Sequence, residues 1–481
     1  MKRGEMSPAR ERPGSRKAAA SAIIALAWPT IIEQIMHTAV QYIDTAMVGA
    51  LGTEATAAVG ATTTIGWLVF GVISAIGVGF LALIARACGA DDRAFAAKAA
   101  SQAVLAVLVC GSAATVICTS LSGVIPVWMR TDPAVRQQAS IYFFIIYLPM
   151  LPRTASAVFG TVLRAAGDTK TPMKVGISVN LINVVLNYFL IFETRTVTLP
   201  IASKSFTVPG AGMGVTGAAI ASAIAFTWGG VLMTAALYRN HKVSPRGLPL
   251  RPDMSILRPC AAIALPNMLQ RVATSTGYVV FSAMINSLGG LATAAHTIAI
   301  TVESAFYIPA YGMQTAASTL VGNAYGAGDR ERMKSLAAMF IPIEVGLMVL
   351  TGGALFVSAP ALVGIFSKSG EIIALGSTVL RMVALSEPFY GVSIITEGMM
   401  VGVGNTRLPF LFNAICMWGV RIAGTFICTR LLGLGLAAAW GCMIAHNMTL
   451  FVLYLICLVT GRVFGRSVEQ NLRRQDVGRQ A

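Results

Sequence analysis

The chain has 481 residues, 56% of them hydrophobic and 12% charged, with a mean hydropathy of +0.72. Soluble proteins carry roughly 25% charged residues, so this composition excludes a large soluble domain and indicates a membrane protein. The net charge is +16, and the eight cysteines include no CxxC pair, so we expect buried thiols and neither metal ligands nor disulfides.

Apolar runs bounded by glycine, proline and charge predict twelve membrane-spanning helices. A helix needs about 20 residues to cross a bilayer core of roughly 30 Å. The first run is too long for the core of a signal peptide, and no small-residue cleavage site follows it, so we interpret it as a retained helix. The predicted spans are 18–49, 55–86, 95–122, 134–164, 173–193, 214–238, 256–286, 291–324, 333–358, 371–402, 408–430 and 434–461.

A single offset of 237 residues relates the two halves of the chain. It places LGTEATAA (51–58) on LGGLATAA (288–295), GADDR (89–93) on GAGDR (326–330), and GDTKTP (167–172) on GNTRLP (404–409). One offset that serves three separated matches indicates a duplication. Each half has an even number of spans, so we expect parallel repeats related by a pseudo-two-fold axis along the membrane normal.

The predicted fold is all-α: a polytopic membrane protein of twelve helices in two six-helix lobes. The long polar segment at the middle of the chain is interpreted as a linker. The predicted domains are a basic tail (1–17), an N-lobe (18–238), the linker (239–255), a C-lobe (256–461) and a second basic tail (462–481).

The distribution of lysine and arginine predicts the orientation in the cell inner membrane. If both termini lie on one side, that side carries 26 basic residues and the loops of the opposite side carry 7. The positive-inside rule then places both termini in the cytoplasm. Because orientation accounts for the positive charge, we expect no nucleic-acid partner.

The first predicted span carries polar residues on one face. Glu33, His37, Gln41 and Asp44 are spaced by four, four and three residues, which forms a polar face about 16 Å long. Charged groups are costly in hydrocarbon, so this face must meet protein or water. We interpret it as part of a transport pathway; the alternative is a structural hydrogen-bonded seam between helices.

Three amides share one face of the fifth predicted span: Asn180, Asn183 and Asn187. Amide carbonyl oxygens suit a small cation or the proton of a carboxylic acid, although paired asparagines often serve only as interhelical contacts. At the positions equivalent to Asp44 and to the last two amides, the second half carries Phe281, Val420 and Gly424. The sequence therefore predicts that the cation site lies in the N-terminal half.

The second half has intramembrane acids of its own. Glu303 shares a helix face with Tyr307 near Pro309, and Glu387 and Glu397 lie in the tenth predicted span. Prolines within membrane helices free backbone carbonyls and often mark moving or binding segments. For these acids the alternative is structural pairing with arginine, for which the candidates are Arg271, Arg381 and Arg421. Substrate binding or support of the site is expected for Glu33, His37, Gln41, Asn180, Glu303, Tyr307 and Glu397.

The chain resembles the multidrug and toxic compound extrusion (MATE) family of antiporters over about residues 20 to 460. The matching motifs are WPTIIEQIMHTAVQYIDTAMVGALG, NVVLN and GMGVTGAAIASAIA in the first half, and AAHTIAI, QTAASTLVGNAYGAGD and VGVGNTRLP in the second. The resemblance implies a two-lobed antiporter that exports organic cations or drugs in exchange for inward H⁺ or Na⁺ by alternating access.

The resemblance also implies a cation site in the N-lobe. The positions that match the family's ligands are Asp44, Asn183, Asn187, Ala218 (through its backbone carbonyl) and Ser222. If Na⁺ is the coupling ion, Asp44, Asn183 and Asn187 are the expected metal ligands. Thr274 stands where NorM-type members carry a glutamate, so the sequence resembles the DinF-type branch more closely. A cation site of the NorM kind in the C-lobe is therefore not expected.

No Walker motif is present in the sequence, so we expect an ion gradient and not ATP as the energy source. We expect no enzymatic activity and no cofactor beyond the coupling ion. The expected partners are organic cations or drugs and the lipid bilayer, and the expected state is a monomer. Two alternatives are a flippase for lipid-linked oligosaccharides and a non-transporting receptor or scaffold.

Overall fold

The computed structural model describes residues 16–129, 131–199 and 204–464. The helices of the first half are α1 (Arg16–Gly49), α2 (Thr53–Gly89), α3 (Arg93–Ser120), α4 (Ile125–Trp128), α5 (Pro133–Tyr147), α6 (Met150–Ala165), α7 (Lys170–Ile191) and α8 (Gly214–Arg239). Those of the second half are α9 (Met254–Asn286), α10 (Gly290–Gly326), α11 (Arg330–Phe366), α12 (Gly370–Ala384), α13 (Glu387–Gly402), α14 (Arg407–Ile415), α15 (Ala423–Phe426) and α16 (Leu436–Val459). Two π-helical stretches, Cys416–Ile422 and Ile427–Leu431, flank α15, and a 3-10 turn at Arg462–Phe464 follows α16.

The all-α polytopic fold is confirmed. Within the described ranges, nine helices are long and apolar enough to cross a membrane, and two bent pairs raise that number to eleven. The helix α9 corresponds to the seventh predicted span and is 33 residues long. It is not among those eleven, and it carries the polar residues Arg258, Asn267, Gln270 and Arg271.

Two predicted spans are bent helix pairs and not single helices. The fourth span consists of α5 and α6, which meet at 49°, and the tenth consists of α12 and α13, which meet at 53°. Pro149 precedes α6 and Pro388 lies in the first turn of α13. Proline lacks an N–H group and clashes with the carbonyl four residues earlier, so a helix bends or ends there. These bends are a correction to the predicted spans.

A β-hairpin between α7 and α8 was not predicted. Its strands, β1 (Glu193–Leu199) and β2 (Lys204–Ala211), are antiparallel, with Val197 opposite Phe206 and an irregularity at Glu193/Arg195. The β-branched run TRTVTL is typical of a strand. We call the end of the helix bundle that carries this hairpin the hairpin end, and the end at which α1 begins and α2 terminates the basic end.

The predicted linker is packed against α3 at the basic end. Gln102 Nε2 donates to the Arg251 carbonyl at 2.8 Å, and the Asp253 backbone N–H donates to Gln102 Oε1 at 2.9 Å. The carboxylate of Asp253 caps α9 by accepting from the Ser255 backbone N–H at 2.8 Å, and it pairs with Lys98. The hydrogen bond from Lys98 lowers the pKa of Asp253 to about 2.

The hydrophobic cores of the two halves exchange their first helices at the basic end. Ile23 of α1 is buried in a cluster with Met313 and Tyr454 of the second half. Cys260 of α9, which is the residue equivalent to Ile23 under the 237-residue shift, is buried in a cluster with Phe159 of the first half. The exchange is therefore reciprocal, as a pseudo-two-fold axis requires.

The halves also meet at two equivalent glycines at the basic end. A Cβ atom added to Gly89 would overlap the Asn323 carbonyl oxygen, and one added to Gly326 would overlap the Arg86 carbonyl oxygen. The 237-residue shift relates the two glycines to each other and Arg86 to Asn323. The Arg86 guanidinium donates to the Val403 carbonyl of the second half, which adds to this contact. The halves are thus in backbone contact at the basic end.

Candidate functional site

Asp44 lies among polar residues of α7 and α8, as the sequence predicts. Asn187 Nδ2 donates to Asp44 Oδ1 at 2.7 Å, and Asn183 lies one turn earlier on α7. The Ser222 hydroxyl of α8 is 3.1 Å from the Asn183 amide. Both asparagines are buried, whereas Asp44 is partly exposed. The carboxylate is therefore held by buried amides and accessible at the same time.

The hydrogen-bond network fixes the orientation of the Asn183 amide. With its nitrogen toward Ser222, the amide accepts only from Asn187, at 3.2 Å. When the amide is turned, its nitrogen lies 2.8 Å from Asp44 Oδ1 and its oxygen accepts from the Ser222 hydroxyl at 3.1 Å. We assign the turned orientation, in which both amides donate to the Asp44 carboxylate. Hydrogen bonds to an ionised acceptor are the stronger kind.

Beside Asp44, Asn187 offers an oxygen ligand for a small cation, whereas Asn183, the other predicted amide ligand, turns its oxygen to Ser222 in the assigned orientation. The Asn187 Oδ1 atom is buried and has no hydrogen-bond partner, and leaving such an acceptor unpaired is costly. Ala218 is buried one turn before Ser222 and packs with Val48 of α1. Carboxylate, amide, hydroxyl and carbonyl oxygens are the ligands of hard cations. Asp44 supplies the one negative charge of this set, and within the described residues no three His, Cys, Asp or Glu side chains cluster as a metal site.

The predicted polar face of α1 divides into separate parts. Arg164 Nη1 of α6 donates to both Glu33 carboxylate oxygens at 3.1 Å, so Glu33 is paired and does not face a cavity as a free acid. His37 and Gln41 lie exposed between that pair and Asp44, and Asn180 is half-buried on α7. The interpretation of all four α1 residues as one pathway is corrected for Glu33, because its partner comes from another helix.

Glu397 of α13 connects two helices of the second half, as Glu33 does in the first half. Its carboxylate accepts from Gln270 Nε2 of α9 at 3.0 Å, and from Asn413 Nδ2 and the Tyr454 hydroxyl at 3.3 Å each. Gln270 is the residue that the 237-residue shift places on Glu33. Each half therefore joins its first helix to its fourth span through one carboxylate.

The other acids of the second half are buried and form no ion pair with the predicted arginines, although Arg421 lies within electrostatic range of Glu303. Both carboxylate oxygens of Glu387 lack a hydrogen-bond partner, and Glu303, which is 6% exposed, lies within its electrostatic range. Tyr307 packs edge-on against Tyr311 and Tyr390, with ring centroids 5.9 and 6.2 Å away. No ion pair joins an acid to Arg271, Arg381 or Arg421 within the part of the chain that is described.

Glu344 joins this group of acids and was not predicted from the sequence. It is fully buried on α11, and both of its carboxylate oxygens lack a hydrogen-bond partner. A glutamate in the apolar run IPIEVGLMVL, two residues after Pro342, was the signal that could have found it. Arg421 is likewise buried but lies over the rings of Tyr278 and Phe281, each at 5.1 Å.

Comparison with known proteins places the chain among membrane transporters. The MatE family model matches residues 29–189 and 266–427, and the two segments begin 237 positions apart, which is the offset of the internal repeat. The protein named "Probable multidrug resistance protein NorM" of Thermotoga maritima is 28% identical over 472 residues, 98% of each chain. "Multidrug resistance protein PmpM" of Pseudomonas aeruginosa is 23% identical and covers 83% of this chain and 82% of its own.

Solved structures share the fold. The chain matches "Crystal structure of MATE in the bent conformation" with a TM-score of 0.83 and 21% identity, over 96% of this chain and 98% of the other. It matches the outward-facing structure of a multidrug resistance MATE family transporter with a TM-score of 0.81 and 20% identity, over 95% and 98%. At this identity the likeness shows the fold alone. Because the family model covers more than half of the sequence, the chain belongs to the MatE family, the multidrug and toxic compound extrusion transporters that its motifs indicate.

Proposed function

We propose that the chain is a secondary active multidrug efflux antiporter that exports organic cations or drugs in exchange for H⁺ or Na⁺. The single observation that carries this proposal is the Asp44 carboxylate, partly exposed within a membrane helix and held by Asn187. The names of the relatives, multidrug resistance proteins, support the cargo class. We further propose that the protein is a monomer in the cell inner membrane with both termini in the cytoplasm, and that it is not an enzyme.

Antiport requires that the coupling ion and the cargo favour different conformations. In the proposed cycle, an ion that reaches Asp44 neutralises a charge whose removal from water is costly. That change biases the two halves, which we propose to act as lobes, toward releasing cargo on the outside. The backbone contact of Gly89 and Gly326 closes the basic end, so this conformation supports access from the hairpin end. The return step then requires the halves to separate at those glycines.

Neither coupling ion is favoured by charge alone. Na⁺ coupling is supported by the neutral oxygens of Asn187 and Ser222 beside one carboxylate. H⁺ coupling needs only Asp44. The DinF-type branch stays a prediction that rests on Thr274, whereas the relative from Thermotoga maritima carries the name NorM.

Efflux from proteoliposomes tests the proposal and identifies the ion. A fluorescent organic cation is loaded, and either the sodium or the pH gradient is clamped while the other is applied. Asp44→Asn should abolish gradient-driven efflux. The matched control is Asp91→Asn at the basic end, where φ is +55°, a conformation that asparagine adopts readily. Full efflux by Asp44→Asn, or passage of a lipid-linked oligosaccharide but not of the cation, would contradict the proposal.

A further inference from the structure

Two cysteines of the second half lie side by side near the hairpin end. Cys428 Sγ is 3.7 Å from Cys442 Sγ, and both residues are half-buried free thiols. Cys428 lies in the π-helical stretch Ile427–Leu431 at the end of the eleventh predicted span, and Cys442 lies in the second turn of α16. Sulfur atoms at this distance are in van der Waals contact, so rotation about the Cα–Cβ bonds can bring them to bonding distance. The pair is therefore placed to form a disulfide.

The residues around the pair account for this close approach. Gly424 lies one turn before Cys428, and a Cβ atom added there would be 3.2 Å from Cys442 Sγ. The Leu434 backbone N–H donates to the Cys428 carbonyl at 2.8 Å, which turns the short connection to α16 back toward the span. A π-helical turn contains an extra residue, and such turns are frequent at functional sites. The two spans are thus held next to each other with one thiol on each.

The repeated fold does not require a thiol at this place. The residue equivalent to Cys428 in the first half is Ile191, at the end of α7. There the neighbouring spans α7 and α8 are joined by the hydrogen bond between Asn183 and Ser222. Val420 takes the position of Asn183 in the second half and has no polar side chain. A disulfide would therefore join the eleventh and twelfth spans as that hydrogen bond joins the fifth and sixth.

We propose that Cys428 and Cys442 form a redox modification site, at which a small organic disulfide outside the cell converts the two thiols into a disulfide. This inference rests on the proposed orientation, in which the hairpin end faces the outside, and not on the transport cycle. Disulfides form and persist outside the cell membrane, whereas thiols are kept reduced in the cytoplasm. The bond should stabilise the second half, because a cross-link restricts the unfolded chain.

The reaction is a thiol–disulfide exchange in two steps. The thiolate of one cysteine attacks a sulfur of the small disulfide, breaks its S–S bond and releases one thiolate. The second cysteine then attacks the protein sulfur of this mixed disulfide, so that the bond between Cys428 and Cys442 forms and the second small thiolate leaves. The two protein sulfurs are oxidised, and the small disulfide is reduced to two thiols that take up the two protons.

Intact-mass spectrometry of the full-length chain tests the proposal. A variant that retains only Cys428 and Cys442 is reduced in detergent, treated with glutathione disulfide and then alkylated with N-ethylmaleimide. It should carry neither an alkyl group nor a glutathione adduct, because both sulfurs are used in the internal bond. The control variant retains Cys110 and Cys442, which lie in different halves, and each of its sulfurs should carry one group or the other.

The outcomes separate this inference from the proposed function. Alkyl groups or glutathione adducts on both sulfurs of the first variant would overturn the inference. If that variant does not fold, peptide mapping of the oxidised wild type decides, and absence of a fragment linked through Cys428 and Cys442 overturns it. Intact cells, which glutathione disulfide does not enter, test the location. Formation of the bond there supports the proposal, and formation in detergent alone overturns the placement of the site outside the cell. No result depends on efflux, so the antiporter proposal is tested separately.

Discussion

Gly89 and Gly326 occupy equivalent positions of the two halves, and each packs against the backbone of the opposite half. Neither position has room for a single methyl group. Contact between halves that is this close has to be lost whenever the basic end opens. Substitutions at these glycines should therefore shift the equilibrium between the conformations that are closed and open at the basic end.

Replacing either glycine by alanine should favour the conformation that is open at the basic end. Overpacking costs typically about 1–3 kcal/mol, which corresponds to a population shift between about five-fold and about 150-fold. Cys260, buried at the junction of the halves against Gly79, serves as the reporter in a variant that keeps only this cysteine. Gly89→Ala and Gly326→Ala should each raise its rate of labelling by maleimide about ten-fold.

The control for this experiment is Gly346→Ala, because a Cβ there meets no atom within 4 Å. Alanine also favours a helix over glycine, so this control should be neutral or slightly stabilising. Equal labelling of Cys260 in all three variants would show that the glycine contact does not close the basic end.

Removing the Asn187 amide should weaken binding of the coupling ion. Asn187→Ala deletes both the donor to Asp44 and the buried oxygen that lacks a partner. Loss of a hydrogen bond to a charged group costs about 1.5–3 kcal/mol, so the apparent affinity for the driving ion should fall at least about ten-fold. Asn180→Ala, on the same helix but half-buried and about two turns away from Asn187, should change it less than about three-fold. Equal effects of the two substitutions would argue against a site centred on Asp44.

Glu33 and Arg164 should stabilise the protein as a pair and not as two independent residues. Their side chains are 24% and 18% exposed, so a single substitution leaves a mostly buried charge without its partner. Glu33→Gln and Arg164→Gln should each lower the free energy of unfolding by about 2 kcal/mol, and the double variant should lose less than the sum. Thermal unfolding in detergent measures this. Additive losses would mean that the two charges do not interact.

Glu344→Gln and Glu387→Gln test whether the second half takes part in ion coupling. The carboxylate oxygens of both residues lack hydrogen-bond partners, so an amide of the same shape removes no contact. We expect gradient-driven efflux within about two-fold of wild type, because coupling is assigned to Asp44 in the first half. A loss comparable to that of Asp44→Asn would place a second ion site among these glutamates.

Local sequence patterns predicted most of the fold and part of the candidate ion site. Apolar runs identified the spans, and the shared face of Asn183 and Asn187, with Asp44 in the same half, predicted a contact that the structure shows at 2.7 Å. The bend before α6 was not predicted, although Pro149 stands at its start. Proline can kink a helix slightly or end it, and tertiary packing decides which.

The contacts that could not be predicted from the sequence are those between residues far apart along the chain. Glu33 and Arg164 are 131 positions apart, and only the packing of α1 against α6 brings them together. Glu344 was overlooked because a single acid in an apolar run has no periodic pattern around it. The unpredicted hairpin has the opposite cause, since its β-branched run was present but lay between two strong helical signals.

The reciprocal exchange of α1 and α9 has a consequence for biogenesis. The core of the first half includes Ile256, Cys260 and Ile263, which the ribosome makes only after α8 is complete. Until then lipid chains, and not α9, must cover that apolar surface of the newly inserted first half. The nascent first half is therefore unfinished as a folding unit, and its maturation waits for the seventh span.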